Sequence, residues 1–108
     1  MTDGFEERKK AMEEMFAHDQ ELRFKAEARR NHKLGLWVAE LLGLSGEAAE
    51  KYAREVIMAD LEEPGDEDVF RKVRADLDAA GVDVSDHSIR HKMEVLLAEA
   101  LEEVKGAG

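Results

Sequence analysis

The longest segment without a helix breaker sets the architecture. Residues 5–42 contain no proline and a single glycine, Gly35. Because proline and glycine interrupt helices, this stretch predicts one continuous helix of ~57 Å at a rise of about 1.5 Å per residue. A compact domain of about 100 residues has a radius of gyration of only ~13 Å. Such a helix must extend beyond what the rest of the chain can cover.

Three shorter helices are predicted after it, and no stretch sustains the alternation typical of strands. Apolar residues recur at helical spacing over residues 46–61, over the segment after Pro64, and over the segment after Ser85. Ser45 and Ser85 are the expected N-caps, and Gly81 is expected to end the third helix. The predicted fold class is therefore all-α, a four-helix bundle with a long first helix.

The apolar positions of each helix define the expected core. In the first helix they are Leu34, Trp37, Val38 and Leu41, with Trp37 as a buried anchor. In the other three helices they are Ala49, Tyr52, Ala53, Val56, Ile57, Leu61, Val69, Phe70, Val73, Leu77, Ala80, Ile89, Met93, Leu96, Leu97, Ala100, Leu101 and Val104.

The N-terminal part of the first helix has few apolar residues and no evident partner in the chain. Phe5, Met12 and Phe16 lie within about 40° of each other on a helical wheel, which is a narrow stripe. Such a stripe is typical of a segment that folds into a groove on another protein. The alternative is a solvated helix end without a role, since termini are often disordered for no functional reason.

Composition and charge exclude several function classes. The chain has no cysteine, which excludes disulfides and thiolate metal sites. All of the net charge of −10 lies in residues 34–108, because residues 1–33 hold eight Lys/Arg and eight Asp/Glu. An acidic body repels phosphate backbones, so no nucleic-acid partner is expected. Without a secretory leader or an apolar run of bilayer length, the chain is predicted to be soluble and cytoplasmic, with no direct membrane insertion.

No constellation of catalytic residues is recognisable, so the chain is predicted not to be an enzyme. It has no phosphate-binding loop, and residues 60–71 fail as a calcium loop because Pro64 and Arg71 stand at ligand positions. His87 and His91 have the i, i+4 spacing of metal ligands. Both are expected to face solvent without a third ligand, and no metal site is predicted.

One basic cluster stands out, and we refer to it below as the basic cluster. It consists of Arg23, Lys25, Arg29, Arg30, His32 and Lys33. Such a cluster can hold a phosphate or an acidic partner. The alternative is that it neutralises Glu21, Glu27 and acidic helices packed nearby.

Three contiguous motifs resemble a known family. They are residues 16–31 (FAHDQELRFKAEARRN), residues 34–37 (LGLW) followed by Leu41-Leu42-Gly43, and residues 63–72 (EPGDEDVFRK). Together they resemble the zeta subunit of bacterial F-type ATP synthase, an ATPase inhibitor family, over nearly the whole chain. The resemblance implies a helical bundle over residues 17–108 and a mobile inhibitory segment over residues 1–16.

The resemblance also implies a mechanism. The N-terminal segment of the family enters the catalytic head at an α/β interface, becomes helical there and blocks rotation in the hydrolytic direction. The expected partners are the α, β and γ subunits of the head, at the inner face of the cell membrane. The partner-binding residues assigned on this basis are the apolar Phe5, Met12, Met15 and Phe16 and the cations Arg8, Lys9 and Lys10.

Some family members have been connected with adenine nucleotide binding by the bundle. The candidates for this in the present chain are Arg29, Arg30 and Lys33, and no other cofactor is expected. The alternative to inhibition is a helical interaction scaffold or a nucleotide-sensing module without contact to the synthase.

Overall fold

The computed structural model describes the backbone of residues 3–60 and 66–107 and the side chains of residues 20–60 and 66–106. In this part the chain forms four helices: α1 (Asp3–Leu41), α2 (Gly46–Ala59), α3 (Glu67–Ala79) and α4 (Asp86–Ala107). The all-α bundle and the continuous first helix are confirmed. α2 ends before the predicted limit of Leu61, which lies outside the described part. No described helix is both long enough and apolar enough to cross a membrane.

Local sequence signals set where the helices begin and end, near the expected residues. The Oγ of Ser85 accepts a hydrogen bond from the backbone N–H of Ser88 at 3.1 Å, which caps α4. Gly81 follows α3 with a φ of 71°, and the N–H of Val82 donates to the carbonyl of Leu77 at 2.9 Å. Glycine is favoured in this turn after a helix because the residue has a positive φ. Ser45 precedes α2 as predicted, but its side chain makes no capping hydrogen bond.

The main core lies between all four helices. Its buried members are Leu34, Val38, Ala39, Tyr52, Val56, Val69, Phe70, Val73, Leu77, Ile89, Met93 and Leu96. Apart from Ala39, all of them are predicted apolar positions. The helical spacing therefore identified most of the core.

One expectation about the core was wrong, and another is met only in part. Ala80 is exposed, because α3 has already ended at that residue. Trp37 packs against the core but is only partly buried, because Leu34 and Val38 occupy the centre of the contact and leave position 37 at its margin. The other predicted core residues that are only partly buried are Leu41, Ala49, Ile57, Leu97 and Leu101. The ammonium of Lys92 lies 5.7 Å from the centroid of the Trp37 ring, an arrangement that suits a partly exposed indole.

Gly35 allows α1 and α2 to approach closely. A Cβ atom at this position would lie 2.5 Å from the Cα of Ala53 and 3.0 Å from its Cβ. Ala53 itself is fully buried. The single glycine of the long first segment therefore serves helix packing and does not interrupt the helix.

A second cluster joins α1 to α4. It contains the buried Ala26, Ala100 and Val104, with Leu22, Leu97 and Leu101 packed against them. Trp37 lies near Lys92 at one end of this contact and Arg29 lies near Glu103 toward the other, so the two helices run antiparallel. α4 ends at Ala107, shortly after Val104. The part of α1 that precedes Leu22 therefore extends past the end of α4.

Candidate partner-binding segment and basic cluster

The predicted partner-binding residues lie in the first half of α1. Their side chains, at positions 5–16, are outside the described part, whereas the helix backbone that bears them is described from Asp3 onward. From Asp3 to Leu22 the helix has a length of about 28 Å. The roles of these side chains, the mobility of residues 1–16 and the division of the chain at that point stay predictions.

Every member of the basic cluster has an acidic side chain within ion-pair distance. Along α1, Arg23 pairs with Glu27 at 3.0 Å and Lys25 pairs with Glu21 at 3.5 Å. Between helices, His32 of α1 and Glu50 of α2 approach to 2.9 Å. The remaining members pair with residues of α4 and with the start of α3.

Lys33 makes the main polar contact between α1 and α4. Its Nζ donates to Glu99 at 2.7 Å and to Glu103 at 2.6 Å, and Arg29 adds a longer contact to Glu103 at 3.6 Å. The hydrogen bond to Glu103 is the main cause that raises the pKa of the Lys33 ammonium, and the same bond lowers the pKa of Glu103. These contacts fit the alternative in which the cluster neutralises nearby acidic helices.

Arg30 is buried, which was not predicted from the sequence. Only 1% of the residue is exposed. Its Nε donates to the Oδ1 of Asn31 at 2.7 Å, and its Nη2 donates to the Oδ1 of Asp66 at 2.7 Å. Asp66 immediately precedes α3, so this bond ties the start of α3 to α1. The spacing did contain a signal, because Arg30 lies four residues from both Ala26 and Leu34, which are fully buried.

A small cleft opens beside Arg30. It has a volume of about 140 Å³ and is lined by Arg30, Asp66, Arg90, Met93, Glu94 and Leu97. The guanidinium of Arg90 is already bound to Glu67 at 3.1 and 3.3 Å and lies 3.9 Å from the centroid of the Phe70 ring. Pockets that enclose ligands of nucleotide size usually measure about 300–1,000 Å³. This cleft is too small to enclose an adenine nucleotide.

His87 and His91 are exposed on the first turns of α4, and their ring centroids lie 6.2 Å apart. Their exposure was predicted. Among the residues that the structure describes, no group of three or more His, Cys, Asp or Glu side chains could hold a metal ion.

The fold and the site define a class: small all-α proteins in which one helix extends beyond its own bundle. The chain belongs to the ATPase inhibitor subunit zeta family, whose model matches residues 1–103. A relative whose structure was determined in solution by NMR is 49% identical, with a TM-score of 0.70. The match covers 81% of this chain and 99% of that relative. No curated protein matches the chain. Membership of an inhibitor family supports a regulatory role over a catalytic one.

Proposed function

We propose that this chain inhibits ATP hydrolysis by F-type ATP synthase by inserting residues 1–16 at a catalytic α/β interface of the head. The observation that supports this most is the length of α1, which begins at Asp3, about 28 Å before Leu22, whereas the antiparallel α4 ends at Ala107, three residues after Val104 of the cluster that contains Leu22. Membership of an ATPase inhibitor family supports the proposal that the extended helix acts on an ATPase. The protein would act at the cytoplasmic face of the membrane, through the synthase head.

The proposed mode of binding is a helix in a groove. The apolar residues that would pack in the cleft are Phe5, Met12, Met15 and Phe16, and the cations that would contact acidic groups around them are Arg8, Lys9 and Lys10. A helix wedged between an α and a β subunit prevents the relative motion on which rotation of γ depends. Hydrolysis then stops, although the inhibitor has no chemistry of its own.

The bundle would support the inhibitory helix by providing its first turns. From Leu22 to Leu41, α1 is part of the folded domain, held by the apolar cluster with α4 and by the bonds of Lys33 and Arg30. A new helix is difficult to start because nucleation is unfavourable, whereas extending an existing helix adds one hydrogen bond per residue. The attachment to a formed helix therefore lowers the free energy needed to order residues 1–16 on the partner.

Adenine nucleotide binding by Arg29, Arg30 and Lys33 stays a separate prediction. A phosphate group would have to compete with the carboxylates of Glu99 and Glu103 for Lys33. It would have to compete with the carboxylate of Asp66 for the buried Arg30. A titration of the protein with ATP, followed through backbone amide shifts in NMR spectra, would test it. Binding at these residues should shift amides of both α1 and α4.

ATP hydrolysis by the isolated synthase head, measured with increasing amounts of this protein, tests the proposal. The full chain should inhibit, and a variant without residues 1–16 should not. Both proteins should unfold at nearly the same temperature, because the deleted part of α1 extends past the end of α4. Inhibition by the truncated variant as strong as that by the full chain would contradict the proposal, and no inhibition by the full chain would favour the scaffold alternative.

A matched pair of substitutions at Met12 separates helix formation from side-chain contact. Met12→Pro should weaken inhibition strongly, because proline inside a helix costs about 3 kcal/mol. Met12→Ala keeps the helix and removes only the side chain, so its effect should be smaller. Neither substitution should change the melting temperature of the free protein appreciably. Equal inhibition by the proline variant and the unmodified chain would show that residues 1–16 do not bind as a helix.

A further inference from the structure

Phe24 has the largest exposed fraction among the large apolar residues that the structure describes. Two thirds of it, 67%, is open to solvent, compared with 62% for Met58 and 43% for Val95. Complete burial of an aromatic side chain removes about 150–250 Å² of surface from water, so roughly 100 Å² or more of Phe24 is available to a partner.

Position 24 continues a buried row of α1. Asn31 and Val38 lie one and two heptads further along the helix, on nearly the same side, and are 1% and 0% exposed. α2 packs on this side of α1 through Gly35 and Ala53. From Ala53, α2 extends seven residues to Gly46 in one direction and six residues to Ala59 in the other, which is about 10 Å at most. Phe24 lies eleven residues, or about 16 Å, from Gly35. The row therefore passes the end of α2, and Phe24 is left uncovered.

Ion pairs flank Phe24 on both sides. Glu21 and Lys25 pair at 3.5 Å on one side, and Arg23 and Glu27 pair at 3.0 Å on the other. These four described charges beside Phe24 cancel each other, although the whole chain has a net charge of −10. An apolar aromatic group within a polar rim is the usual arrangement of the residues that contribute most to protein–protein binding.

We propose that Phe24 is a second anchor for the synthase head and binds an apolar hollow beside the cleft that receives residues 1–16. This inference rests on the proposed function. Phe24 lies on the same helix as Phe16, eight residues further along, which is a distance of about 12 Å. A helix seated in the cleft as far as Phe16 brings Phe24 to the mouth of that cleft. The bundle, which is too wide to follow, docks against the outside of the head.

The experiment compares Phe24→Ala with Met58→Ala in the assay of ATP hydrolysis. Both substitutions remove an exposed apolar side chain, so both variants should melt like the unmodified protein. Phe24→Ala should raise the concentration needed for half-maximal inhibition about tenfold, as truncation of an anchoring aromatic does. Met58→Ala, on α2, should leave that concentration unchanged. Phe24→Leu, which keeps an apolar side chain, should restore most of the inhibition.

Several results would overturn the inference. If Phe24→Ala inhibits like the unmodified chain while the variant lacking residues 1–16 does not inhibit, Phe24 is no anchor and the proposed function stands. If the unmodified chain does not inhibit, both fail. A lower melting temperature for Phe24→Ala would show that the side chain packs within this chain. A dimer that becomes a monomer in Phe24→Ala, measured by size-exclusion chromatography, would show that it binds a second copy.

Discussion

Replacing Gly35 by alanine should destabilise the bundle, although alanine is the better helix former. The new Cβ would lie 2.5 Å from the Cα of Ala53, whereas carbon atoms in contact are separated by about 3.5–4.0 Å. The nearest atom belongs to the backbone of α2, so no side-chain rotation can relieve the overlap. α2 must therefore move away from α1 by about 1 Å, at the expense of the packing of Tyr52 and Val56, both of which are buried.

The expected magnitude follows from two opposing contributions. Inserting a methyl group into a packed contact costs about 1–3 kcal/mol, and overlap with backbone places Gly35→Ala at the upper end. Replacing glycine by alanine inside a helix stabilises the helix by about 1 kcal/mol. The net loss in the free energy of unfolding should be about 2 kcal/mol, which corresponds to a fall in melting temperature of roughly 10 °C for a chain of this size.

Thermal unfolding followed by circular dichroism measures this loss, and two variants serve as controls. Gly106→Ala, in the last turn of α4, has nothing within 4 Å of the new Cβ and should melt at or slightly above the temperature of the unmodified chain. The double variant Gly35→Ala with Ala53→Gly should stay destabilised, because the Cα of residue 53 remains in place. A Gly35→Ala variant as stable as the unmodified chain would refute the close approach of α1 and α2.

Three further predictions concern polar contacts and Trp37. Asp66→Ala should lower the free energy of unfolding in urea by about 1–2 kcal/mol, because the buried guanidinium of Arg30 loses its carboxylate. Arg30→Met removes the charge and keeps an apolar stem, so it should cost less, and a larger loss than for Asp66→Ala would contradict this. The hydrogen bond from Lys33 lowers the pKa of Glu103, so this pair stabilises the fold above the ordinary carboxyl pKa and loses its contribution as the pH falls through the lower folded value. Glu103→Gln should therefore flatten the dependence of stability on pH as the pH falls below the ordinary carboxyl pKa, and an unchanged slope would show that the ion pair does not stabilise the fold. The fluorescence emission maximum of the partly buried Trp37 should lie between the maxima of buried and free indole, and it should shift to longer wavelength on unfolding. A maximum of the native protein equal to that of free indole would contradict the packing of Trp37 against the core.

Helical spacing predicted the fold well. In a bundle, the residues on the side of each helix that faces its neighbours are buried, and the spacing of apolar residues identifies that side. Val73, Leu77 and Ile89 are buried as their spacing requires. Spacing does not show where along its length a helix is crossed by another. Trp37 therefore fits the predicted core although it lies at the margin. Arg30 lies on the buried side by its spacing, but a charged side chain is expected in solvent unless its partner is known, and Asp66 is 36 positions away.

The polar contacts of the candidate site could not be predicted in the same way. Lys33 binds Glu99 and Glu103, which are 66 and 70 positions away, and this pairing depends on the antiparallel register of α1 and α4. The composition of the basic cluster indicated that neutralisation was an alternative but did not identify the partners. The extension of α1 beyond the bundle was predictable, because the length of a helix without breakers is a local property of the sequence.

A crosslink from position 12 tests most directly whether the N-terminal segment enters the synthase head. A photoreactive amino acid would replace Met12, the protein would be bound to the head and irradiated, and mass spectrometry would identify the linked peptides. A photoreactive residue in place of Val95, exposed on α4, serves as the control. Insertion at an α/β interface predicts links from position 12 to α and β subunits at that interface and none there from position 95. Links from position 12 only to the protein's own bundle, or to parts of the synthase away from that interface, would contradict the proposed mechanism.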